Sequence, residues 1–260
     1  MHLEGSWRLL RSHEALMFSG YMGPEEASSI HVGGPVKCFR KGFLYSVYIC
    51  VGPGGLVAVK DYRVSSLKWI PAFIAAAPTV RYRRGPKLRA LSELHYSRLL
   101  RRVVNTPRIL SAHLWERGAL TVREYVPGVS VLDSRDPRAW RMAGKALARI
   151  HAGGYALGDA NPGNFIVSGS TVTLVDMEQA RPSDPASTAW DIITVIAYTH
   201  ITRARGAHLN ELIEAYVEEG APTRETIREL RKLKYWIPYL LIPHKIVEAI
   251  KIIRSLDQMS

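Results

Sequence analysis

Alternating apolar and polar positions predict a group of β-strands in the first half of the chain. Glycine-bearing turns separate them, and leucines at helical spacing predict a helix over about Lys87–Arg102. The predicted strands are Val36–Arg40, Tyr45–Val51, Leu56–Lys60, Ile109–Trp115 and Ala119–Glu124. This half of the chain is therefore expected to form a small sheet accompanied by one main helix.

From Val126 onward the apolar positions recur mainly at helical spacing. The predicted helices are Pro137–His151, Ala186–Arg203, Leu209–Glu219, Arg224–Tyr235 and Tyr239–Leu256, and the predicted short strands are Phe165–Val167 and Thr171–Val175. A β-rich segment followed by an α-rich one predicts an α+β fold of two lobes with a cleft between them. We expect an N-terminal extension over residues 1–30, a small lobe over 31–126 with a basic insertion at 61–86, and a larger helical lobe over 127–260.

The charge balance adds a hypothesis about partners. The 260 residues include 35 lysines and arginines against 23 aspartates and glutamates, a net charge of +12. Such a field favours nucleic acid or an anionic membrane surface, although an arginine-rich thermophile surface would look similar. A charged N-terminal stretch without the apolar run of a signal peptide predicts a cytoplasmic protein with no stable membrane association. Cys38 and Cys50 fall on neighbouring predicted strands, where two thiols are favoured over a cross-strand disulfide.

The segment that contains Asp159, Asn164 and Asp176 indicates a chemistry. Four residues separate Asp159 from Asn164, and a predicted hairpin then folds the chain back to Asp176. Phosphoryl transfer requires a carboxylate at the attacking hydroxyl and oxygen ligands for Mg²⁺ or Mn²⁺. Asp159 suits the first role, and Asn164 and Asp176 suit the second. Asp, Asn, Gly and Pro are also ordinary turn residues, which is the alternative for this segment.

This segment resembles the catalytic and metal-binding loops of protein kinases. Val57-Ala58-Val59-Lys60 is similar to the kinase strand whose lysine binds the α- and β-phosphates of ATP. The resemblance implies that Glu93, on the following helix, pairs with Lys60, and that Asp191 supports the catalytic loop. It also implies that ATP is the cofactor. The further positions that would contact ATP by this resemblance are Glu124 and Val126 at the adenine hinge and Gly42, Ser46 and Val47 in the phosphate-covering turn.

Within that superfamily the chain resembles the RIO kinases. A single glycine, Gly42, precedes Val47-Tyr48 at a RIO-like interval, and Gln179 closely follows Asp176. The segment 158–164 and the arginine-rich composition look most like archaeal RNA kinases, which phosphorylate a ribose 2′-hydroxyl in the tRNA variable loop. Asp159 would then orient and deprotonate the 2′-hydroxyl of a uridine. The expected RNA contacts are Arg81, Arg83, Arg84, Lys87 and Arg89, with Tyr82 among them suited to stacking.

Four other functions stay open. A RIO-type protein serine/threonine kinase would share the catalytic residues, although no peptide-docking activation segment is evident after Asp176. The kinase subunit of the archaeal tRNA threonylcarbamoyladenosine machinery is also compact and basic, but the long insertion argues against it. A nucleotide-binding scaffold would have no reason to keep Lys60, Asp159, Asn164 and Asp176 together. Small-molecule phosphotransferases have a similar loop, but a small acceptor does not explain so basic a chain.

Overall fold

The computed structural model describes residues 28–31, 35–40, 47–52, 55–63, 81–116, 118–202, 206–221 and 223–259. Residues 1–27 of the predicted N-terminal extension, the positions Gly42 and Ser46, and residues 64–80 of the basic insertion lie outside these ranges.

Two compact units divide the chain. The first contains the described residues up to Arg63 together with Arg84–Leu91 and Pro107–Tyr125. The second contains residues 81–83, Ser92–Thr106 and the described residues from Val126 onward. Helix α1, Pro86–Leu100, supplies residues to both units.

The first unit is an antiparallel sheet in the order β1-β2-β3-β4-β6-β5. Its strands are β1 (Ser28–His31), β2 (Pro35–Arg40), β3 (Val47–Gly52), β4 (Gly55–Asp61), β5 (Ile109–Trp115) and β6 (Gly118–Glu124). Tyr48, Cys50, Val57, Val59 and Leu120 form its buried apolar cluster. The β-branched residues on β4 suit this pleated, half-buried environment. The observed bounds confirm the strands that were predicted in this part of the chain.

The second unit is mainly helical. Its helices after α1 are α2 (Pro137–Ala152), α3 (Pro185–Ile201), α4 (Gly206–Glu218), α5 (Arg224–Leu230) and α6 (Ile246–Met259). Its short strands are β7 (Val129–Ser130), β8 (Tyr155–Ala156), β9 (Phe165–Ser168), β10 (Thr171–Leu174) and β11 (Arg181–Pro182). Strands β10, β9 and β7 form one small sheet, and β11 pairs with β8 in another.

Capping residues set where the first of these helices begin. The Asp136 side chain accepts a hydrogen bond from Arg138 N, with proline at the first position of α2. Asp184 and Ser187 form a reciprocal capping box at the start of α3. Gly144 lies where α2 meets α4 so closely that a Cβ there would stand 2.1 Å from Leu212 O. Only glycine permits this approach, which brings α2 and α4 together around the core.

Two predicted helices in the C-terminal part have the wrong bounds. The helix predicted over Arg224–Tyr235 ends at Leu230, and a separate 3-10 helix, Leu233–Leu241, follows it. The helix predicted over Tyr239–Leu256 begins only at Ile246, after a second 3-10 turn, Pro243–Lys245. Proline lacks the N–H group that an α-helix interior needs, so Pro238 and Pro243 disfavour a continuous α-helix over this apolar stretch.

The preference for two thiols at the cysteines is also wrong. Cys50 is disulfide-bonded, and Cys38, the other cysteine of the chain, lies opposite it in the register of β2 and β3. Directly opposed residues of antiparallel strands are close enough for such a bond.

Candidate active site

The predicted catalytic loop connects β8 to β9 in the second unit. After β8 the chain passes through Leu157, Gly158 and Asp159 and then forms a 3-10 turn, Pro162–Asn164. The Asn161 side chain caps this turn by accepting a hydrogen bond from Gly163 N at 2.8 Å. Asn164 Nδ2 donates to Asp159 O at 3.1 Å. The loop is therefore closed on itself, and its two predicted functional residues are joined by a hydrogen bond.

Asp191 on α3 supports this loop as the kinase resemblance implied. Its carboxylate is fully buried and accepts hydrogen bonds from Leu157 N at 2.6 Å and Gly158 N at 2.7 Å. His151 Nε2 lies 3.1 Å from the same carboxylate, and His151 Nδ1 lies 2.6 Å from the Tyr216 hydroxyl. A buried carboxylate that accepts two backbone N–H groups holds the backbone just before Asp159 in one conformation.

Gly158 is the residue that this conformation requires. Its φ is +71°, in the region that L-residues with a side chain rarely adopt. A Cβ at this position would also stand 2.8 Å from Gln179 O. The catalytic loop therefore passes close to the segment that follows Asp176, and glycine is needed for both reasons.

The hairpin of β9 and β10 brings Asp176 back towards Asn164, as predicted. Strands β9 and β10 pair from Thr171 opposite Ser168 to Leu174 opposite Phe165, and Val175 N donates to Asn164 O at 2.9 Å. Asp176 follows immediately, and its Oδ1 accepts a hydrogen bond from Glu178 N at 3.3 Å. Asn164 is therefore hydrogen-bonded across the hairpin to the residue just before Asp176.

Three carboxylates meet beside this turn. Oxygen atoms of Glu93, Asp176 and Glu178 all lie within 4.8 Å of one another. Glu93 is fully buried and Glu178 is 2% exposed. Like charges at this separation in a buried place favour a bound cation, and carboxylate oxygens are the ligands that Mg²⁺ and Mn²⁺ prefer. The residues present thus fit a divalent metal. Glu178 was not among the predicted ligands, although its position two residues after Asp176 was a usable signal.

Lys60 and Glu124 of the predicted hinge belong to the first unit, and Val126 belongs to the second. Lys60 lies on β4, opposite Val47 on β3 and Thr121 on β6, and is 3% exposed. Its Nζ lies 5.0 Å from the centre of the Tyr62 ring. Glu124 N donates to Arg108 O at 3.0 Å, so an adenine contact at Glu124 would have to use its carbonyl. The pairing of Lys60 with Glu93 and the nucleotide contacts of Val47, Glu124 and Val126 stay predictions.

Three of the residues predicted to contact RNA make hydrogen bonds within the protein. Arg89 is 2% exposed and donates to Tyr62 O. Arg83 is half-buried, and its Nη1 donates to Ala180 O at 2.9 Å. The Tyr82 hydroxyl donates to Gly158 O at 2.6 Å, and its ring meets Trp190 edge to face. The RNA contacts of Arg83, Arg89 and Tyr82 stay predictions, and their hydrogen bonds within the protein could not be foreseen, because residue type and local charge do not reveal burial. Arg81, Arg84 and Lys87 are exposed.

A tyrosine that the sequence did not single out lies in the electrostatic field of the candidate site. The charge of Asp159, with burial and the charge of Asp176, raises the pKa of the Tyr198 phenol far above its ordinary value. Tyr198 therefore stays a neutral hydroxyl at any working pH. Its position on α3, seven residues after Asp191, could be linked to the candidate site only once the structure was known.

Comparisons with known proteins establish the fold. No family model matches the chain, and no curated protein matches it significantly. Among solved structures, the crystal structure of an aminoglycoside-3′-phosphotransferase of type VIII matches with a TM-score of 0.50 at 15% sequence identity, covering 87% of this chain and 97% of that chain. Since 1387 chains of solved structures match, the fold does not depend on one comparison. In the part of the chain that the structure describes, no helix is both long and apolar enough to cross a membrane. The chain has the α+β protein-kinase-like fold that its sequence predicted.

Proposed function

We propose that this protein is an ATP-dependent phosphotransferase. The observation that carries the proposal is the closed loop that joins Asp159 to Asn164 and leads through a hairpin to Asp176, in a chain with a kinase-like fold. Lys60, buried at the end of an apolar strand, is proposed to bind the α- and β-phosphates. These four residues supply what phosphoryl transfer needs from a protein.

In the proposed reaction an acceptor hydroxyl attacks the γ-phosphorus of ATP. The new oxygen–phosphorus bond forms as the bond to the β,γ-bridging oxygen breaks, ADP departs, and the hydroxyl proton passes to Asp159. Asp191 fixes the backbone before Asp159, and the 3-10 turn fixes Asn164. Asn164 and Asp176 would hold the divalent metal, with Glu93 and Glu178 beside Asp176. When bound, this metal neutralises charge on the phosphates.

The acceptor is proposed to be an RNA ribose 2′-hydroxyl, in tRNA by the resemblance of the loop. The net charge of +12 supports a polyanionic substrate, and Arg81, Arg84 and Lys87 offer exposed cations close in sequence to Tyr82 and Arg83, which contact the catalytic loop and the turn after Asp176. The RIO-type protein kinase and the tRNA threonylcarbamoyladenosine kinase subunit are the alternatives for the same catalytic residues. The structural neighbour is an aminoglycoside phosphotransferase, which adds an aminoglycoside as a third acceptor to test.

One experiment tests the activity and separates these acceptors. The purified protein is incubated with Mg²⁺ and ATP labelled in its γ-phosphate, with total RNA, total protein or an aminoglycoside as acceptor, beside the Asp159→Asn variant. Label in tRNA that is lost with the variant supports the proposal, and label only in protein or aminoglycoside refutes the RNA acceptor. A tRNA with a 2′-deoxyribose at the labelled nucleotide should accept no phosphate. Absence of label in every arm would argue against a phosphotransferase.

The salt dependence of RNA binding tests the exposed cations separately. Neutralising Arg81, Arg84 and Lys87 together should make the slope of log affinity against log salt shallower by about two to three units if each contacts a phosphate. A matched variant that neutralises three other exposed basic residues, Arg135, Arg138 and Arg254, should leave the slope nearly unchanged. Equal effects of both variants would indicate a general charge effect and not a binding surface.

A further inference from the structure

The segment 81–83, which precedes α1, is hydrogen-bonded to the turn that follows Asp176. Arg83 N donates to Gln179 Oε1 at 2.7 Å, and Gln179 Nε2 donates back to Arg83 O at 3.0 Å. The side-chain amide of Gln179 thus pairs with the backbone of Arg83 in the way that a neighbouring strand would. Gln179 is 1% exposed, so this paired contact is shielded from water.

Two arginines extend this contact on either side. Arg83 Nη1 donates to Ala180 O at 2.9 Å. Arg181 Nη2 donates to Arg81 O at 3.0 Å, and Arg181 Nε donates to Gln179 O at 3.2 Å. The positive charges of Arg83 and Arg181 are therefore used to hold the backbones of segment 81–83 and residues 179–180 together. Hydrogen bonds from charged donors are stronger than those from neutral donors.

The middle residue of the segment reaches the catalytic loop. Tyr82 Oη donates to Gly158 O at 2.6 Å, and Trp190 Nε1 donates to the same oxygen at 2.9 Å. The Tyr82 and Trp190 rings meet edge to face with centroids 6.4 Å apart. Since Gly158 N is already held by Asp191, the residue just before Asp159 is bound at both its N–H and its carbonyl group.

We propose that segment 81–83 positions the two catalytic loops, with Tyr82 acting on Asp159 through the Gly158 carbonyl and Gln179 acting on Asp176 through its own turn. This inference rests on the proposed phosphotransfer roles of Asp159 and Asp176. Rotation of the Gly158–Asp159 peptide group would swing the Asp159 carboxylate away from the attacking hydroxyl, and small misplacements of a catalytic group slow a reaction strongly. Burial, followed by the charge of Asp159, raises the pKa of Tyr82, so its hydroxyl remains a donor at every working pH.

The test compares Tyr82→Phe with Tyr235→Phe. Both changes keep the ring and delete a hydroxyl that donates to a backbone carbonyl, which for Tyr235 is Ala186 O at 3.1 Å. Tyr82→Phe should lower kcat about tenfold with little change in the KM for ATP, since one hydrogen bond that orients the reacting group is lost. Tyr235→Phe should lose comparable thermal stability and keep its kcat.

Hydrogen–deuterium exchange supplies a readout that needs no turnover. The amides of residues 157–164 should exchange faster in Tyr82→Phe than in the wild type and Tyr235→Phe. Gln179→Glu, which cannot donate to Arg83 O, should increase exchange over residues 176–181 and lower kcat in the same way. Unchanged exchange and unchanged kcat in both variants would overturn the positioning role. If the wild type showed no phosphotransfer while the two variants still exchanged faster than it, the proposed function would be refuted. The contact between segment 81–83 and the loops would then still be established.

Discussion

Replacement of Asp191 by asparagine gives the most direct test of how the candidate catalytic loop is held. The Asp191 carboxylate accepts from Leu157 N and Gly158 N, one through each oxygen, and is fully buried. Asparagine has the same shape but one oxygen and one NH₂ group. At least one of the two backbone N–H groups would therefore face a donor instead of an acceptor.

The expected loss of stability follows from this geometry. A hydrogen bond to a charged group contributes about 1.5–3 kcal/mol, and a buried donor left without a partner costs about 1–3 kcal/mol. We expect Asp191→Asn to lower the free energy of unfolding by about 3 kcal/mol. For a unit of this size that corresponds to a fall in Tm of about 6–12 °C. Turnover should fall further than ATP affinity, since the loop carries Asp159 and not the proposed phosphate-binding lysine.

Urea unfolding, followed by tryptophan fluorescence, measures this loss. Asp257→Asn is the matched control, because Asp257 is 44% exposed and forms a surface ion pair with Arg231. Surface pairs contribute little, so that variant should change stability by less than about 0.5 kcal/mol. If Asp191→Asn matched Asp257→Asn in both stability and turnover, the support of the loop by Asp191 would be refuted.

Three further predictions concern named side chains. Asp159→Asn should reduce turnover at least about 100-fold while ATP still binds, whereas Asp176→Asn should weaken Mg²⁺-dependent ATP binding as well; steady-state kinetics and calorimetric titration check both. Lys60→Ala should impair turnover, and adding Glu93→Ala should cost little more if the two act as one unit, whereas additive losses in the double variant would separate them. Burial lowers the pKa of His200 in the folded protein, so the unfolded chain binds the proton more readily. Stability from this group is full above about pH 6.5 and falls as the pH drops below it, and His200→Gln should flatten that slope in urea unfolding at pH 5 and 7.

Much of the fold could be predicted because its elements are decided by local pattern. Alternation and glycine turns located β3, β4 and β6 to within a few residues, and capping residues located the starts of α2 and α3. Pattern was less informative in the apolar stretch around Pro238, where 3-10 turns replace α-helix. An apolar run satisfies several helical geometries equally well, and packing against the rest of the unit chooses among them.

The candidate site shows the same division between local and tertiary information. The candidate roles of Asp159, Asn164 and Asp176 could be predicted from the sequence because phosphoryl transfer requires those residue types. Their proximity could be predicted because the β9–β10 hairpin that joins them is local. The contacts that segment 81–83, predicted to bind RNA, makes within the protein could not be predicted, for the opposite reason. Whether Tyr82 and Arg83 face a ligand or the catalytic loop depends on residues about 75 to 100 positions away, Gly158 and Gln179 among them. Sequence alone thus determined which residues could do the chemistry, and only tertiary packing decided which neighbours hold them in place, because burial and hydrogen-bond partners depend on chain segments that are distant in sequence.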